Sequence, residues 1–372
     1  MKKLIFPLFL LVSSTFAFAQ EYKFTPVVDL DATEVKSQDI TGTCWSFSTT
    51  SFLESEIIRL TGKHIDVSEM YNVRNTYSKK AWNYVMRQGK AQFSQGGLAH
   101  DVINSVKENG LVTEEAFSGL VYDETIYNHT ELETTLKAML DNFITNPAGK
   151  LSPKWKAAVE NILNVYLGEK PTEFTFEGKK YTPESFLEMT KLNMDDYVTI
   201  TSFTHQPYYS SFVLNIPDNF SNGSMYNVPL NDFISVIDNA LDNGFTVEWD
   251  TDVSEPTFSA KNGVAFIPQN MADTQKGYTE IVTEKEITPE FRQEEFENFD
   301  TTDDHLMHIV GKVKDQNGTV YYKVKNSWGT NPNRVANGGY IYVSKAYMQL
   351  KSISVLVHKD ALPKSLKKKL SL

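Results

Sequence analysis

The chain has 372 residues, of which 41% are hydrophobic, and a formal net charge of -11 at pH 7. This length is enough for one large domain or two ordinary ones, and the acidic charge argues against nucleic-acid binding. The lysine-rich residues 364–372 are interpreted as a solvated C-terminal tail rather than a phosphate-binding patch.

The N-terminal residues have the pattern of a secretory signal peptide. Lys2 and Lys3 precede an apolar run, and Ala17 and Ala19 supply the small side chains that a signal peptidase requires. The run is too short to span a bilayer, so we expect cleavage after residue 19 and no stable membrane insertion. Cleavage would remove Lys2 and Lys3 but no acidic residue, so the net charge of the chain would change from -11 to -13. We therefore predict export to the periplasm or the medium.

Helical patterns dominate the first half of the mature chain. Apolar residues recur at helical spacing from Cys44 to a stop at Thr61–Gly62, and Ser68 has the position of an N-cap for a second helix. A third helix is predicted between the Gly96–Gly97 turn and Gly110. Residues 114–192 are also helix-rich, with a hairpin around Gly178 followed by a helix from Thr182–Pro183.

Strand patterns dominate after Val198. They cover residues 208–216, 245–253, 263–267, 307–328 and 339–344, and Asn317–Gly318 is a hairpin-turn signal. Helices come first and strands last, which predicts an α+β fold with the two kinds of element segregated.

Cys44 is the only cysteine, so the chain cannot form an intramolecular disulfide. Such a thiol in an exported protein is paired with another chain, buried and inert, or reactive. A reactive thiol needs a lowered pKa, which a helix N-terminus and a nearby imidazolium both favour. Cys44 lies at a predicted helix start, so its chemistry depends on a histidine distant in sequence.

Two histidines compete for that role. His308 opens a predicted strand that continues as Ile309 and Val310, whereas His305 lies in an acidic loop with Asp303 and Asp304 that is expected to line a cleft. The predicted register favours His308.

Two polar residues could complete such a site. Asn326 lies across the predicted hairpin from His308 and could orient its ring. Gln38, six residues before Cys44, could donate its side-chain amide to an oxyanion. Taken alone, each also has an ordinary structural interpretation, Asn326 as a turn residue and Gln38 as a solvated loop residue.

These motifs occur in a familiar order. The pattern Q-x5-CWSFS, followed by SQGGLAHD, HIVG and KNSWGT, resembles the papain-like C1 cysteine peptidases. The 264 residues between Cys44 and His308 exceed the ~130 of the papain pattern, and LMHIVG, GFTVEWDTDVSE and VKNSWG resemble the bleomycin hydrolase/aminopeptidase C branch.

The resemblance implies a papain-like fold over residues 20–363, with a helical subdomain bearing the nucleophile, an antiparallel β-barrel-like subdomain and a mainly helical insertion over about residues 115–195. It implies a catalytic set and a substrate-binding set, and no cofactor or metal. In the implied catalytic set, Cys44 is the nucleophile, His308 the acid/base, Asn326 the orienting residue and Gln38 a donor in the oxyanion hole. The implied substrate-binding set is Gly96, Gly97 and Asp252.

The expected function is hydrolysis of peptides at their N-termini, in a possible homo-oligomer that would be a hexamer by resemblance. Only nine residues follow Pro363, fewer than the C-terminal arm by which this branch restricts cleavage to N-terminal residues. Endopeptidase or oligopeptidase action is therefore an alternative. Acyl transfer to another acceptor and non-catalytic peptide binding are further alternatives.

Overall fold

A computed structural model describes residues 22–145 and 149–372. The predicted signal peptide, residues 1–19, lies outside these ranges. Within them, no helix combines the length and the apolar character needed to cross a membrane.

Three helices in the first part of the chain confirm the predicted boundaries. They are α1 (Cys44–Thr61), α2 (Glu69–Met86) and α3 (Ala99–Asn109). Gly62 ends α1 in the left-handed conformation that glycine adopts without steric cost. Ser68 caps α2 by accepting a hydrogen bond from the backbone N–H of Tyr71 at 3.0 Å.

The described part of residues 115–195 contains three α-helices and a small hairpin. They are α4 (Thr130–Ile144), α5 (Trp155–Leu167), β2 (Phe174–Phe176), β3 (Lys179–Tyr181) and α6 (Pro183–Thr190). Leu132, Leu136 and Leu140 recur at helical spacing on α4, and all three are fully buried. They belong to the same core as the apolar residues of α1 and α2, in which α4 and α5 pack on α2 and α6 contacts the helix that carries Cys44.

Eleven further strands form one sheet. They are β1 (Thr25–Asp29), β4 (Tyr197–Thr201), β5 (Ser210–Val213), β6 (Ser224–Asn227), β7 (Val247–Thr251), β8 (Phe258–Ser259), β9 (Val264–Ala265), β10 (His305–Lys314), β11 (Val320–Lys325), β12 (Tyr340–Ser344) and β13 (Ser352–His358). Their spatial order is β5-β6-β4-β13-β7-β10-β11-β12-β9-β8, and β1 pairs with β10.

Two expectations about this half of the chain were wrong. The sheet is mixed, because β4 pairs with β6 and β9 with β12 in parallel. Helices also alternate with the strands: α7 (Leu230–Asp242), α8 (Thr274–Gly277), α9 (Pro289–Glu297), α10 (Lys345–Lys351) and α11 (Lys364–Leu370). The alternation of apolar residues reports which face of a strand is buried but not the direction of its neighbour.

The predicted solvated tail is instead the helix α11. Leu366 and Leu370 are buried in the core formed by α7 and the sheet, and Leu372 packs against the same core. Burial of one leucine contributes about 1.5–3 kcal/mol, so two are enough to hold a two-turn helix on the protein surface. The lysines between them face away from this core, which is why the composition suggested a solvated segment.

Candidate active site

Cys44 is the first residue of α1 and lies in a cleft between that helix and β10. Thr43 precedes it without a side-chain cap, which leaves the backbone N–H of Cys44 available to another acceptor, whereas the N–H of Ser46 donates to the carbonyl oxygen of Thr43 at 2.9 Å. The cleft encloses about 530 Å³. Its described lining is Gln38, Thr41, Gly42, Cys44, Gln92, Ser94, Gln95, Gly96, Gly97, Glu133, Asp218, Val253, Asp303, Asp304, His305, Leu306 and Trp328.

The surroundings of Cys44 disfavour the thiolate form of its side chain. Burial raises its pKa to about 12, and the negative charges of Asp303, Asp218 and Asp250 act in the same direction. A backbone hydrogen bond from Leu306 opposes them. A thiolate therefore has to form by proton transfer to a base within the cleft.

His305, and not His308, is the histidine of this cleft. The Nε2 atom of His305 donates a hydrogen bond to Oδ1 of Asn326 at 2.7 Å. The same Oδ1 accepts the backbone N–H of Ser327 at 2.7 Å, which identifies it as the amide oxygen. The indole of Trp328 covers the imidazole, with ring centroids 4.7 Å apart. The ring is thereby fixed in one tautomer and orientation.

His308 lies on the opposite face of β10, so the prediction that it serves the site is contradicted by its position. It is fully buried, and its Nδ1 is 2.9 Å from Oγ of Ser51 on α1. It borders a small internal cavity with Glu54 and Lys325 rather than the cleft of Cys44. Residues three apart on a strand point to opposite faces, which separates the two histidines.

A β-bulge explains why the predicted register failed. An unbroken register continued from the pair Lys314–Val320 would place Asn326 directly opposite His308. The register shifts by one residue between Ile309 and Gly311, and His308 pairs with Lys325 instead. A one-residue shift moves every following side chain to the other face of the sheet. Asn326 consequently shares its face with His305.

His305 is neutral at neutral pH. Burial lowers the pKa of its imidazole to about 4, although the bond to Asn326 and the charge of Asp304 act in the opposite direction. A neutral imidazole with Nε2 protonated has Nδ1 available as a proton acceptor. The protein therefore holds a neutral thiol and a neutral base in one cleft.

Gln38 lines the cleft and its side chain is held from both ends. Oε1 accepts a hydrogen bond from Oγ of Ser327 at 2.7 Å, and Nε2 donates to the carbonyl oxygen of Thr41 at 2.7 Å. An amide nitrogen carries two hydrogens, so one remains available for a ligand. Ser327 follows Asn326 directly, so one short segment positions both amides.

Gly96 and Gly97 also line the cleft, as predicted, and the space around each requires glycine. A side chain at Gly97 would press on the indole of Trp45, and one at Gly96 would overlap the carboxylate of Asp218. Trp45 further holds this segment by donating its Nε1–H to the carbonyl oxygen of Gln95 at 2.9 Å.

Asp252, predicted as a substrate contact, is not among the described residues that line the cleft. Its carboxylate accepts hydrogen bonds from the backbone N–H and Oγ of Ser254 at 2.9 and 3.0 Å, and from the backbone N–H of Thr302 at 3.1 Å. Burial raises the pKa of this carboxyl to about 7. Asp252 instead holds together the two loops that place Val253 and Asp304 in the cleft wall.

The sequence indicated two of the acids in the cleft and missed two others. Asp303 and Asp304 precede His305 in the acidic loop that was expected to line the cleft. Asp218 and Glu133 come from distant segments, and no motif in their surroundings pointed to this site. Among the described residues, no cluster of three or more His, Cys, Asp or Glu side chains is arranged to hold a metal ion.

Comparison with known proteins identifies the family. A family model described as "Peptidase C1-like family" matches residues 95–372. Aminopeptidase C of Listeria monocytogenes is 23% identical over 90% of this chain and 82% of its own. Aminopeptidase G of Lactobacillus delbrueckii subsp. lactis is 22% identical over 92% and 85%. Human cathepsin L2 is 37% identical over 25% of both chains.

The fold is similar to a solved structure. The crystal structure of PepW from Lactobacillus rhamnosis has a TM-score of 0.75 and 20% sequence identity, and covers 93% of this chain and 84% of that one. The likeness supports a papain-like C1 fold.

Proposed function

Since the chain belongs to the Peptidase C1-like family, we propose that it is an exported cysteine aminopeptidase that releases residues from the N-termini of peptides. The observation that carries the proposal is the 2.7 Å hydrogen bond between Nε2 of His305 and Oδ1 of Asn326, in the cleft that contains Cys44. The similarity to aminopeptidases C and G supports the choice of reaction.

In the proposed first step, Nδ1 of His305 takes the proton from the thiol while Sγ of Cys44 attacks the carbonyl carbon of the substrate. The backbone N–H of Cys44 and the free amide hydrogen of Gln38 stabilise the oxyanion. His305 then gives its proton to the leaving amine, and a thioester remains on Cys44. A water molecule, activated by the same imidazole, hydrolyses the thioester and restores the thiol.

Asn326 and Trp328 have supporting roles in this proposal. The amide oxygen of Asn326 stabilises the imidazolium that forms after proton transfer, because it already accepts its Nε2–H. Trp328 shields this hydrogen bond from solvent. Both effects favour the charged pair only when the proton moves, so they assist the reaction more than they stabilise the resting state.

Replacement of Cys44 tests the proposal directly. We expect Cys44→Ala to abolish hydrolysis of an aminoacyl-aminomethylcoumarin substrate while leaving the melting temperature nearly unchanged. Stoichiometric labelling of the wild type by the epoxide inhibitor E-64, absent in the variant, would locate the reactive thiol. Full activity in Cys44→Ala would disprove the proposed mechanism.

Endopeptidase action is the alternative, and the blocking group on the substrate separates the two. An aminopeptidase hydrolyses the substrate with a free amine and leaves its N-acetyl derivative intact, whereas an endopeptidase accepts both. In this structure α11 packs on the sheet, and none of its residues belongs to the described lining of the cleft. Selectivity for a free amine would therefore require another element of the chain.

Export and assembly are also proposals. Expression of the full-length chain in a bacterium, followed by N-terminal sequencing of the protein from the periplasm and medium, should give Gln20 as the first residue. Light scattering of the purified protein tests the hexamer that the resemblance implies. A cytoplasmic protein that retains Met1 would contradict the proposed export.

A further inference from the structure

We propose that Asp218, on the loop between β5 and β6, binds the free α-ammonium group of the substrate and thereby makes this enzyme an aminopeptidase. The inference rests on the proposed function and names the residue that would give it its selectivity. Asp218 lies in the wall of the cleft, where its carboxylate is against Gly96.

The reaction itself determines which end of the cleft receives the substrate amine. His305 has to protonate the leaving amine, so the leaving part of the substrate lies on the side of His305 and Trp328. The acyl part then lies on the other side of Cys44, against the wall formed by Gln92, residues 94–97 and Asp218. The α-amino group of an N-terminal residue is only two bonds from the attacked carbonyl carbon, so it stays close to this wall.

The carboxylate of Asp218 is fixed at one oxygen and free at the other. Oδ1 accepts a hydrogen bond from Nε2 of Gln92 at 2.9 Å and a longer one from Oγ of Ser94 at 3.5 Å. Oδ2 accepts no hydrogen bond from any residue that the structure describes, and it is the atom nearest to Gly96. The absence of a side chain at Gly96 thus leaves space for this oxygen at the edge of the cleft.

The charges of the cleft favour a cationic ligand. In the described lining, Glu133, Asp218, Asp303 and Asp304 are acidic, and no lysine or arginine is present. Three of these acids already have partners. Nε2 of Gln95 donates to Glu133 at 2.9 Å, Oγ of Ser254 donates to Asp304 at 2.6 Å, and Asp303 bonds to Asp250. Asp218 and Glu133 each keep one carboxylate oxygen that accepts no hydrogen bond from a described residue. Of the two, Asp218 lies against Gly96, on the wall assigned to the acyl part of the substrate.

Lys80 is buried beside this wall, and its charge acts on Asp218. Its ammonium donates a hydrogen bond to the carbonyl oxygen of Gly96. Burial raises the pKa of Asp218, whereas the charge of Lys80 lowers it and so favours the ionised carboxylate. The charge of Asp101 acts in the opposite direction to that of Lys80 and raises the pKa of Asp218.

The loop that carries Asp218 is a fixed wall. The side chain of Asn219 bonds to the backbone of Leu214 and Gly223 at 2.8–3.0 Å and so closes the loop on itself. Oγ of Ser221 is 2.9 Å from Nε2 of His100 on α3, and Lys80 lies 5.0 Å from the ring centroid of Phe220. A peptide that continued beyond its N-terminal residue would meet this wall, which excludes blocked and internal sequences.

Binding of an ammonium at Asp218 would also activate the nucleophile. The negative charge of Asp218 is one of those that raise the pKa of Cys44. A substrate cation beside Asp218 cancels part of this effect and favours transfer of the thiol proton to His305. The amine would therefore assist catalysis as well as binding.

Asp218→Asn tests the inference, because the amide keeps the size of the side chain and removes its charge. The substrates are leucyl-aminomethylcoumarin and its 4-methylpentanoyl analogue, which lacks only the amine. We expect the wild type to prefer the amine, and Asp218→Asn to reduce kcat/KM for the amine substrate about 10- to 100-fold. The rate with the analogue should not fall, so the preference is lost.

A matched control removes the same charge elsewhere. Asp195→Asn replaces an exposed acid that pairs with Lys107 at the protein surface, and it should leave the preference unchanged. Circular dichroism and the melting temperature check that the Asp218 variant is folded. Labelling of Cys44 by iodoacetamide at pH 7 should then be faster in this variant, because one of the charges that raise the pKa of the thiol has been removed. In protein that is folded by these measures, a merely structural role of Asp218 would not accelerate the reaction.

The wild type provides a second measurement that needs no variant. Isoamylamine should inhibit it competitively, whereas isoamyl alcohol, which has the same shape and no charge, should not. An unchanged preference in Asp218→Asn, or equal inhibition by the two compounds, would overturn this inference alone. Loss of the proposed function itself would appear as activity that survives Cys44→Ala.

Discussion

The two faces of β10 near Cys44 contain similar residues in very different surroundings. On one face, His305 meets Asn326 and Trp328 at a cleft open to solvent. On the other face, His308 lies in a closed network of polar and charged side chains behind α1. We call this set the buried ion network, and its members are Thr33, Lys36, Ser51, Glu54, Glu69, His308 and Lys325. An imidazole can take part in catalysis only where a substrate can reach it.

The buried ion network ties four parts of the chain together. Nζ of Lys325 donates to Oγ of Ser51 at 2.8 Å and to Oγ1 of Thr33 at 2.9 Å. Glu54 accepts the hydroxyl of Thr33 and the backbone N–H of Val67. The network thus joins the N-terminal segment, α1, the segment before α2 and β11, and it fixes the strand from which Asn326 follows.

Matched substitutions of the two histidines should show the largest difference between these faces. We expect His305→Asn to reduce kcat about 10³- to 10⁴-fold, because the variant lacks the proton acceptor and donor. His308→Asn should keep kcat within about 3-fold. It should instead destabilise the fold by about 1–3 kcal/mol, because a buried hydrogen bond is lost.

Rates measured below the melting temperature of each variant, together with urea unfolding, separate the two effects. The reverse result, with His308→Asn inactive and His305→Asn active, would refute the assignment of the cleft histidine.

Removal of a cation from the buried ion network should give the next largest effect. Lys325→Met leaves Glu54 and Glu69 without one of their compensating charges in a dry environment, and we expect a loss of about 3–5 kcal/mol in unfolding free energy. Lys323→Met on the same strand removes only a partly exposed pair with Asp29 and should cost about 0–1 kcal/mol. Urea unfolding at one pH measures both, and equal losses would contradict the structural role of the network.

The smallest expected effect is the change in kcat/KM at acidic pH. Burial lowers the pKa of His305 to about 4, so most of the imidazole is still neutral at pH 5. We expect kcat/KM to fall less than about 3-fold between pH 7 and pH 5 from this ionisation, whereas a free imidazole with a pKa near 6.5 would lose about 30-fold. Activity should disappear as the pH falls through about 4, where protonated His305 can no longer accept the thiol proton.

Stability at low pH has to be measured beside this profile. His129 and His305 both have a pKa lowered to about 4 by burial, and that of His308 is lowered as well. The unfolded chain binds more protons than the folded chain below about pH 6.5, so these groups reduce stability as the pH falls towards 4. Circular dichroism at each pH distinguishes unfolding from titration of the active site. A fall in kcat/KM near pH 6.5 that occurs in folded protein and is retained in Asp218→Asn would contradict the assigned environment of His305.

Much of the fold and part of the site could be predicted from local patterns. The boundaries of α1, α2 and α3 followed from caps, glycine stops and helical spacing, because these signals act over a few residues. The hairpin at Asn317–Gly318 was also predicted, and Gly318 has the positive φ that such a turn requires. The direction of β6 and β9 could not be predicted, because it depends on strands far away in sequence.

The sequence by itself determined the chemical groups: one thiol at a helix start, an amide six residues before it, and an asparagine and two histidines on neighbouring strands. Only the tertiary structure decided which histidine faces the thiol, because a single bulge between Ile309 and Gly311 exchanges the faces of β10. It also brought Asp218 against Gly96 and folded residues 364–370 onto the sheet. These outcomes depend on register and long-range packing, which residue patterns within one segment do not encode.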